Sequence, residues 1–468
     1  MFSATMLLPI VVSVIFADGQ WLTFAASFLI ILGSGVMIWW PVREQTHELR
    51  LREGFLVVAA FWIVLGLFGS VPLLLTGNPQ LSLTDAVFES LSGLTTTGAT
   101  VLTGLAELPQ SILFYRQQLQ WFGGLGIIVL AVAVLPMLGV GGMQLYRAET
   151  PGPVKDTRLT PRITETAKAL WYVYLGITVL CALVYLLAGM GPFDAICHAF
   201  STVAIGGFST YDESFGHFNS VAIELVAVVF MFVAGINFSL HFLAWRHRSV
   251  KHYFQDPEFR AYSKLLGGLI AVVVLYLHFQ GYYPTLTETL THGLFQTVSI
   301  ATTTGFTTAD FAVWPGVLPV LLIFSSFVGG CAGSTAGGMK VIRWLLMYRQ
   351  GLREVQRLVH PSAEVPVKLG SKAVPQRVVD AVWGFFAVYV VVFSVLLLIM
   401  VAAGLDQVSA FSAVAATLNN LGPGLGEVAS GFGGVGVIEK WAAVCGMLLG
   451  RLEIFTLLVL ITPTYWRP

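Results

Sequence analysis

The chain has 468 residues, 56% of them hydrophobic and 11% charged, and its mean hydropathy is +0.80. Soluble domains carry about a quarter charged residues, so this composition excludes a soluble globular protein and predicts an all-α polytopic membrane protein. The formal net charge is zero, which leaves no bulk electrostatic attraction for nucleic acid.

A helix needs about 20 residues to cross a hydrocarbon core of about 30 Å. Apolar segments of that order fall near 2–17, 20–40, 54–76, 118–140, 168–190, 221–245, 262–281, 314–347, 378–403 and 436–462, giving ten predicted membrane spans of which the first is short. The first run has no basic leader and passes directly into the second, so it is expected to stay in the mature chain rather than to act as a signal peptide. Half-length segments at 83–96, 193–204, 286–303 and 406–420 lie between the third and fourth, fifth and sixth, seventh and eighth, and ninth and tenth runs. The predicted organisation is an N-terminal helix pair at 1–40 and four pore repeats at 52–147, 166–247, 260–350 and 377–463. Each repeat reads as helix, short re-entrant helix, glycine loop, helix.

Each half-length segment runs into a polar, glycine-containing loop: Thr95 to Thr100 around Gly98, Thr202 to Phe208 around Gly206, Ala301 to Thr307 around Gly305, and Asn419 to Gly424 around Gly422. Backbone at membrane depth must satisfy its polar groups internally or line a wet cavity, so four such loops call for one shared aqueous axis. Glycine leaves no side chain in a lumen and permits backbone turns that aim successive carbonyls the same way. Carbonyl oxygens so aimed can replace the hydration shell of a cation. The candidate ligands are the loop residues Thr96, Thr97, Gly98, Ala204, Ile205, Gly206, Thr303, Thr304, Gly305, Asn420, Leu421 and Gly422, with a permeant cation expected at the carbonyls of Thr97, Ile205, Thr304 and Leu421. The absence of a carboxylate ring argues against strong Ca²⁺ or Mg²⁺ selectivity. For one loop alone, a plain helix C-cap would be an equal reading; four copies on one predicted side favour the pore.

That side follows from the basic residues, which concentrate in cytoplasmic loops. Arg43, Arg50 and Arg52; Arg147, Lys155, Arg158, Arg162 and Lys168; Arg246, Arg248, Lys251, Arg260 and Lys264; and Arg343 through Arg377 all lie between repeats. The other side carries only Arg116 and Lys440 among Asp212, Glu213, Asp310 and Glu427. The glycine loops are therefore expected to open outward, with both termini cytoplasmic.

Two features fall below the loops. The eighth span contains Gly329, Gly330, Gly333, Ser334, Thr335, Gly337 and Gly338 within ten residues, and glycine costs about 1 kcal/mol per residue in a helix, so the span should break there. A phosphate-binding loop is excluded because no Gly-Lys-Ser/Thr ending follows; close packing of small residues is the bland alternative. Arg451 sits within the last span, where a charge is expensive and by default functional. Glu453 lies about 200° further round a helix and is no obvious partner. Arg451 is expected to face the pore, the alternative being a side chain that snorkels to the interface. Cys181, Cys197, Cys331 and Cys445 lack the CxxC spacing of a zinc or redox site and read as small buried apolar residues. No catalytic or nucleotide-binding constellation stands out, so neither an enzyme nor a bound cofactor is expected.

The glycine loops, the N-terminal pair and the stretch Gln120-Trp121-Phe122-Gly123-Gly124-Leu125-Gly126, running on to Tyr146 through Gly152, together resemble the Trk/Ktr/HKT superfamily of potassium-transporting proteins. The chain is most like its bacterial TrkH-type uptake subunits. That resemblance implies that Gly98, Gly206, Gly305 and Gly422 are selectivity-filter glycines. It implies K⁺ preference, because serine at the first filter position goes with Na⁺ in plant relatives. It further implies that the Gly329–Gly338 loop and Arg451 gate permeation, and that the chain forms a homodimer in the bacterial inner membrane. Nucleotide control would then come only through a cytosolic TrkA-like nucleotide-binding ring. The alternative is a secondary transporter coupling K⁺ to H⁺ or Na⁺, against which four parallel copies, rather than paired inverted repeats, weigh.

Overall fold

The computed structural model describes residues 2–44, 51–129, 160–370 and 372–467. An N-terminal pair, α1 (Leu7–Phe16) and α2 (Trp21–Trp39), precedes four units of similar plan. The first contains α3 (Leu51–Gly69), the short α4 (Leu83–Leu94) and α5 (Gln110–Val129). The second contains α6 (Thr160–Leu187), the short α7 (Pro192–Ala204), α8 (Val221–Ala234) and α9 (Phe238–His247). The third contains α10 (Pro257–Phe279), the short α11 (Leu286–Ala301), α12 (Leu318–Ser326) and α13 (Val341–Val359); the fourth contains α14 (Gln376–Ala403), the short α15 (Gln407–Leu418), α16 (Val437–Arg451) and α17 (Phe455–Ile461).

The short helices have well-defined starts. The Ser82 hydroxyl accepts a hydrogen bond from Asp85 N at the head of α4, a reciprocal Thr285–Glu288 capping box opens α11, and the Asp406 carboxylate accepts from Val408 N and Ser409 N before α15. Pro192 occupies the first turn of α7, where its missing N–H is harmless. With 12 to 16 residues at 1.5 Å each, these helices reach only about 18–24 Å. They therefore stop inside the bilayer thickness and deliver their C-terminal ends to the centre of the molecule.

Packing between units closes into a ring. The second helix of each unit packs on the short helix of the next: α5 on α7, α8 on α11, α12 on α15, and α16 back on α4. The short helices are accordingly the most buried elements; every residue from Ala86 to Leu94 is buried. Outward faces are apolar instead, with Met37, Leu187, Phe279 and Leu398 exposed, the surface that lipid would cover.

Several boundaries differ from the hydropathy reading. Among the described residues, five helices are long and apolar enough to cross a membrane alone, and the count reaches seven if each of two bent pairs is one span. Those pairs correct the expectation that only the third unit is interrupted. α8 and α9 meet at 93°, and α16 and α17 at 111°, so the predicted continuous spans 221–245 and 436–462 are both broken. The predicted span 314–347 is also two helices, because residues 327–340 are non-helical. Helix α5 begins at Gln110 rather than near 118. Its predicted continuation to 140, the basic residues Arg147, Lys155 and Arg158, and the Tyr146–Gly152 stretch lie outside the described residues. Cys181, Cys197 and Cys331 are buried, whereas Cys445 is exposed on α16.

Candidate filter and intramembrane gate

The four glycine loops share one backbone register. At the end of each short helix a residue adopts the left-handed conformation: Thr96 (φ 51°), Ile205 (54°), Thr303 (67°) and Asn420 (53°). The next residue's N–H returns to the carbonyl five positions back: Thr97 to Ser92 (2.9 Å), Gly206 to Ser201 (2.8 Å), Thr304 to Ser299 (2.8 Å) and Leu421 to Ala416 (2.7 Å). This is a Schellman-type cap. One residue further, Gly98 (φ 81°), Gly207 (81°), Gly305 (85°) and Gly422 (97°) turn the chain a second time. A C-cap is therefore present, yet the glycine is not the capping residue. The cap falls on two threonines, an isoleucine and an asparagine, and αL costs an L-residue about 1–2 kcal/mol. Backbone strain repeated at four matched positions is the pattern found at ligand-holding sites.

The same register corrects one alignment. Gly207, not Gly206, is the counterpart of Gly98, Gly305 and Gly422. The carbonyl in the position expected of Ile205 consequently belongs to Gly206, alongside Thr97, Thr304 and Leu421; Ala204 falls level with Thr95, Thr302 and Asn419. The residues after the four glycines are then Ala99, Phe208, Phe306 and Pro423, so two units share a Gly-Phe pair.

The loops meet at backbone contact. A Cβ on Gly98 would overlap the Gly206 carbonyl oxygen, one on Gly207 that of Thr304, one on Gly305 that of Leu421, and one on Gly422 would press on that of Thr97. Each glycine thus accepts the carbonyl of the neighbouring unit, and the series closes on itself. All four line a single cavity of about 860 Å³ together with Phe208, Pro423, Asp212, Glu213 and Asp310. The two cations expected on this side are neutralised: Arg116 Nε lies 2.7 Å from buried Glu89, and Lys440 Nζ 2.7 Å from Asp85. The short helices also present their C-termini to the loops, where the helix dipole places partial negative charge.

Hydroxyl pairs brace two of the loops, Thr95 to Thr97 (2.8 Å) and Thr302 to Thr304 (2.7 Å). Asn420 Nδ2 donates to Thr97 Oγ1 and to Met447 O, both at 3.0 Å, tying the fourth loop to the first.

Beneath the loops lies residues 327–340. Gly337 N donates to Thr303 Oγ1 (2.7 Å), Gly338 N to Asn419 O (3.0 Å), and Thr335 Oγ1 to Val203 O (3.0 Å). The segment thereby touches the ends of three of the four short helices. A Cβ on Gly337 would overlap Asn419 O, and one on Gly329 would overlap Gly337 O, so the fold here has no room for larger residues. Gly330 packs against Ala336 and Gly235 O, Gly333 against Asn237, and the Ser334 hydroxyl is used locally on Cys331 O.

Arg451 Nη1 donates to Thr335 O at 3.1 Å, while its Nε and Nη2 are buried without a partner among the described residues. Among the described residues no carboxylate lies within ion-pair distance of Arg451. Glu453 instead pairs with Arg343, because α16 ends at Arg451 and Glu453 and Ile454 take φ of 54° and 56°. The helical-wheel reason for separating Arg451 from Glu453 therefore does not apply, although the separation itself is seen.

Sequence reading missed four participants. Glu258 is buried at the head of α10, and its Oε1 accepts from Ala332 N (2.8 Å) and Ile342 N (3.1 Å), joining the interior of the 327–340 segment to the first turn of α13. Lys340 turns back to Ala336 O with φ 75°. Asn237 lies at the α8–α9 bend, and Gln120 reaches the second loop from α5. Their signal is faint: Glu258, Lys340 and Asn237 are single polar residues at helix starts, where polar residues are common, and Gln120 lies mid-helix in α5 just after Arg116, Gln117 and Gln118.

A family profile described as TrkH, cation transport protein, matches residues 21–467. The chain is 60% identical over 469 residues to the "Trk system potassium uptake protein TrkH" of Vibrio parahaemolyticus, covering 100% of this chain and 97% of that one. It is 55% identical over 467 residues to the protein of the same name in Escherichia coli K12, with the same coverages. The crystal structure described as the potassium transporter TrkH from Vibrio parahaemolyticus superposes with a TM-score of 0.93 at 57% identity, covering 100% of this chain and 97% of that one.

Proposed function

The chain belongs to the TrkH family of cation transport proteins, and from that premise we propose that it carries K⁺ into the cell through a pore whose filter is the ring of four glycine loops. The observation that carries this reading is the shared register: four strained caps, four second turns at glycine, and four carbonyls closing around one cavity. The carbonyls of Thr97, Gly206, Thr304 and Leu421 supply the hard oxygen donors. The names of the relatives, all potassium uptake proteins, supply the ion.

In this reading the cavity with Asp212, Glu213 and Asp310 opens to the outside, both termini are cytoplasmic, and the membrane is the bacterial inner membrane. Residues 327–340 close the path below the filter, with Arg451 holding a fixed positive charge where a cation would wait. That charge raises the barrier to passage, and its two nitrogens without a partner among the described residues suit a wet lumen better than dry packing. The relatives belong to a "Trk system", which supports control by a further, cytosolic TrkA-like subunit that binds nucleotide; the chain itself would act as a homodimer.

The test is ⁸⁶Rb⁺ uptake into proteoliposomes competed by K⁺, Na⁺ and Li⁺, for the unmutated chain and Gly98→Ser. K⁺ is expected to compete well below the Na⁺ concentration needed, and Gly98→Ser to narrow the gap. Equal competition by Na⁺ in the unmutated protein overturns the selectivity reading, and uptake that stays tied to an imposed H⁺ or Na⁺ gradient overturns the uncoupled pore.

A further inference from the structure

The doublet Gly206-Gly207 is unique among the four loops, and the second glycine alone explains the left-handed turn. At the position of Gly206 the other units carry Thr97, Thr304 and Leu421. Gly206 has no positive φ, so conformation does not require glycine there. The position of Gln120 does: a Cβ on Gly206 would overlap its Cδ and Oε1, so the side chain keeps its place only against glycine.

Gln120 is fully buried and comes from α5, the helix of the first unit that packs on α7 of the second. Its Nε2 donates to the Gly206 carbonyl, and its Oε1 accepts from Phe208 N at 3.2 Å. One turn earlier on the same helix, Arg116 lies 4.2 Å above the Phe208 ring and donates to Ser209 O at 3.3 Å. The second loop lacks the hydroxyl pair that braces the first and third, because Ala204 and Gly206 replace both threonines. A side chain from the neighbouring unit does that job instead, and it does so by binding a filter carbonyl directly.

We propose that Gln120 is a specificity-determining positioning residue of the filter. This rests on the filter reading above and deepens it. A carbonyl that accepts an amide N–H has one lone pair engaged and is held at a fixed position. Among the carbonyls of Thr97, Gly206, Thr304 and Leu421, only Gly206 is engaged by a side-chain donor among the described residues. A smaller cation needs its ligands to close in further than K⁺ does. A carbonyl whose oxygen is held by a buried side chain resists that closure, so the tether penalises Na⁺ more than K⁺. The filter is then built from three carbonyls set by their own loops and one set by α5.

The test is the K⁺-to-Na⁺ competition ratio against ⁸⁶Rb⁺ uptake, which does not depend on how much protein is active. Gln120→Met keeps the length and removes both hydrogen bonds, and Gly206→Ala expels the same side chain from the other end. Each is expected to improve Na⁺ competition relative to K⁺ by about 2- to 10-fold, the factor corresponding to one hydrogen bond of ordinary net strength. The double variant is expected to go little beyond either single one, since both break one contact. An unchanged ratio in a well-folded Gln120→Met overturns the proposal, as does full additivity in the double variant. Should Gln120→Met fail to reach the membrane, Gly206→Ala alone decides by the same ratio. Failure of the filter reading shows separately, as Rb⁺ uptake in the unmutated protein that K⁺ does not displace.

Discussion

Two buried arginines show opposite solutions to the same cost. Arg116 meets Glu89 at 2.7 Å with both side chains essentially inaccessible, and it adds Thr100 Oγ1, Ser209 O and the Phe208 ring. Removing one partner of such a pair leaves an uncompensated charge, which costs about 3–5 kcal/mol, whereas removing both often costs much less. Arg116→Met is therefore expected to lower the thermal midpoint of the detergent-solubilised protein markedly, and Arg116→Met with Glu89→Met to recover part of it. A double variant that unfolds at a still lower temperature contradicts this account. Among the described residues Arg451 has no such carboxylate, so its removal should relieve rather than create an electrostatic cost. Arg451→Ala is expected to raise Rb⁺ flux severalfold at equal protein, and unchanged or lower flux counts against its role as a barrier. Arg451 was legible in the sequence because a lone charge in an apolar run is conspicuous. The register of Gly206 and Gly207 was not, because adjacent glycines give no sign of which one takes positive φ. Nor were the caps at Thr96, Ile205, Thr303 and Asn420, since none uses the residue that normally marks a left-handed turn.

At the scale of elements, the interrupted helices divide by what interrupts them. The break at 327–340 is written in glycine, and propensity alone predicts it. The bends between α8 and α9 and between α16 and α17 carry little local signal. The first is set by tertiary contacts, with Cys331 N donating to Gly235 O at 2.8 Å and Phe238 N to Gly333 O at 3.0 Å. The second uses non-glycine residues at positive φ, Glu453 and Ile454. The first bend is thus tied to the 327–340 segment and capped by Asn237, the second is not marked by glycine at its turn, and a hydropathy reading sees two continuous apolar runs. The segment itself is held by Glu258, which binds Ala332 within it and Ile342 just beyond it. Glu258→Ala leaves the N–H groups of Ala332 and Ile342 without their acceptor, at about 1–3 kcal/mol for each buried group. Faster amide exchange confined to 327–342 and a raised basal Rb⁺ flux are expected. Exchange that rises uniformly over the whole chain would mean that Glu258 supports the fold in general and not this segment.

At the scale of the whole molecule, one chain of four unequal units can do what four identical subunits cannot. The units close a ring through α5 on α7, α8 on α11, α12 on α15 and α16 on α4, yet each junction is furnished differently. Asn420 ties the fourth loop to the first, Gln120 the first unit to the second, and Thr303 the third loop to the segment below. The hydropathy pattern made the four-unit plan legible because half-length helices recur, whereas the junction chemistry depends on residues far apart in sequence. Charge is distributed on the same scale. On the side of the glycine loops, Arg116 and Lys440 are consumed in ion pairs, while Glu213 and Asp310 stay exposed on the cavity that leads to the loops. A cavity of one sign concentrates counter-ions, and the effect fades once the screening length falls to about 8 Å at 0.15 M salt. Glu213 precedes the short 3-10 helix Ser214–Phe218 but makes no side-chain cap hydrogen bond, so it can be neutralised without disturbing the loops. Glu213→Gln is expected to raise the half-saturating Rb⁺ concentration by about twofold at 10 mM ionic strength, with no change in maximal flux. The shift should vanish at 0.15 M of an impermeant salt. A shift that persists at high salt would place Glu213 in direct contact with the ion instead of in the field that gathers it.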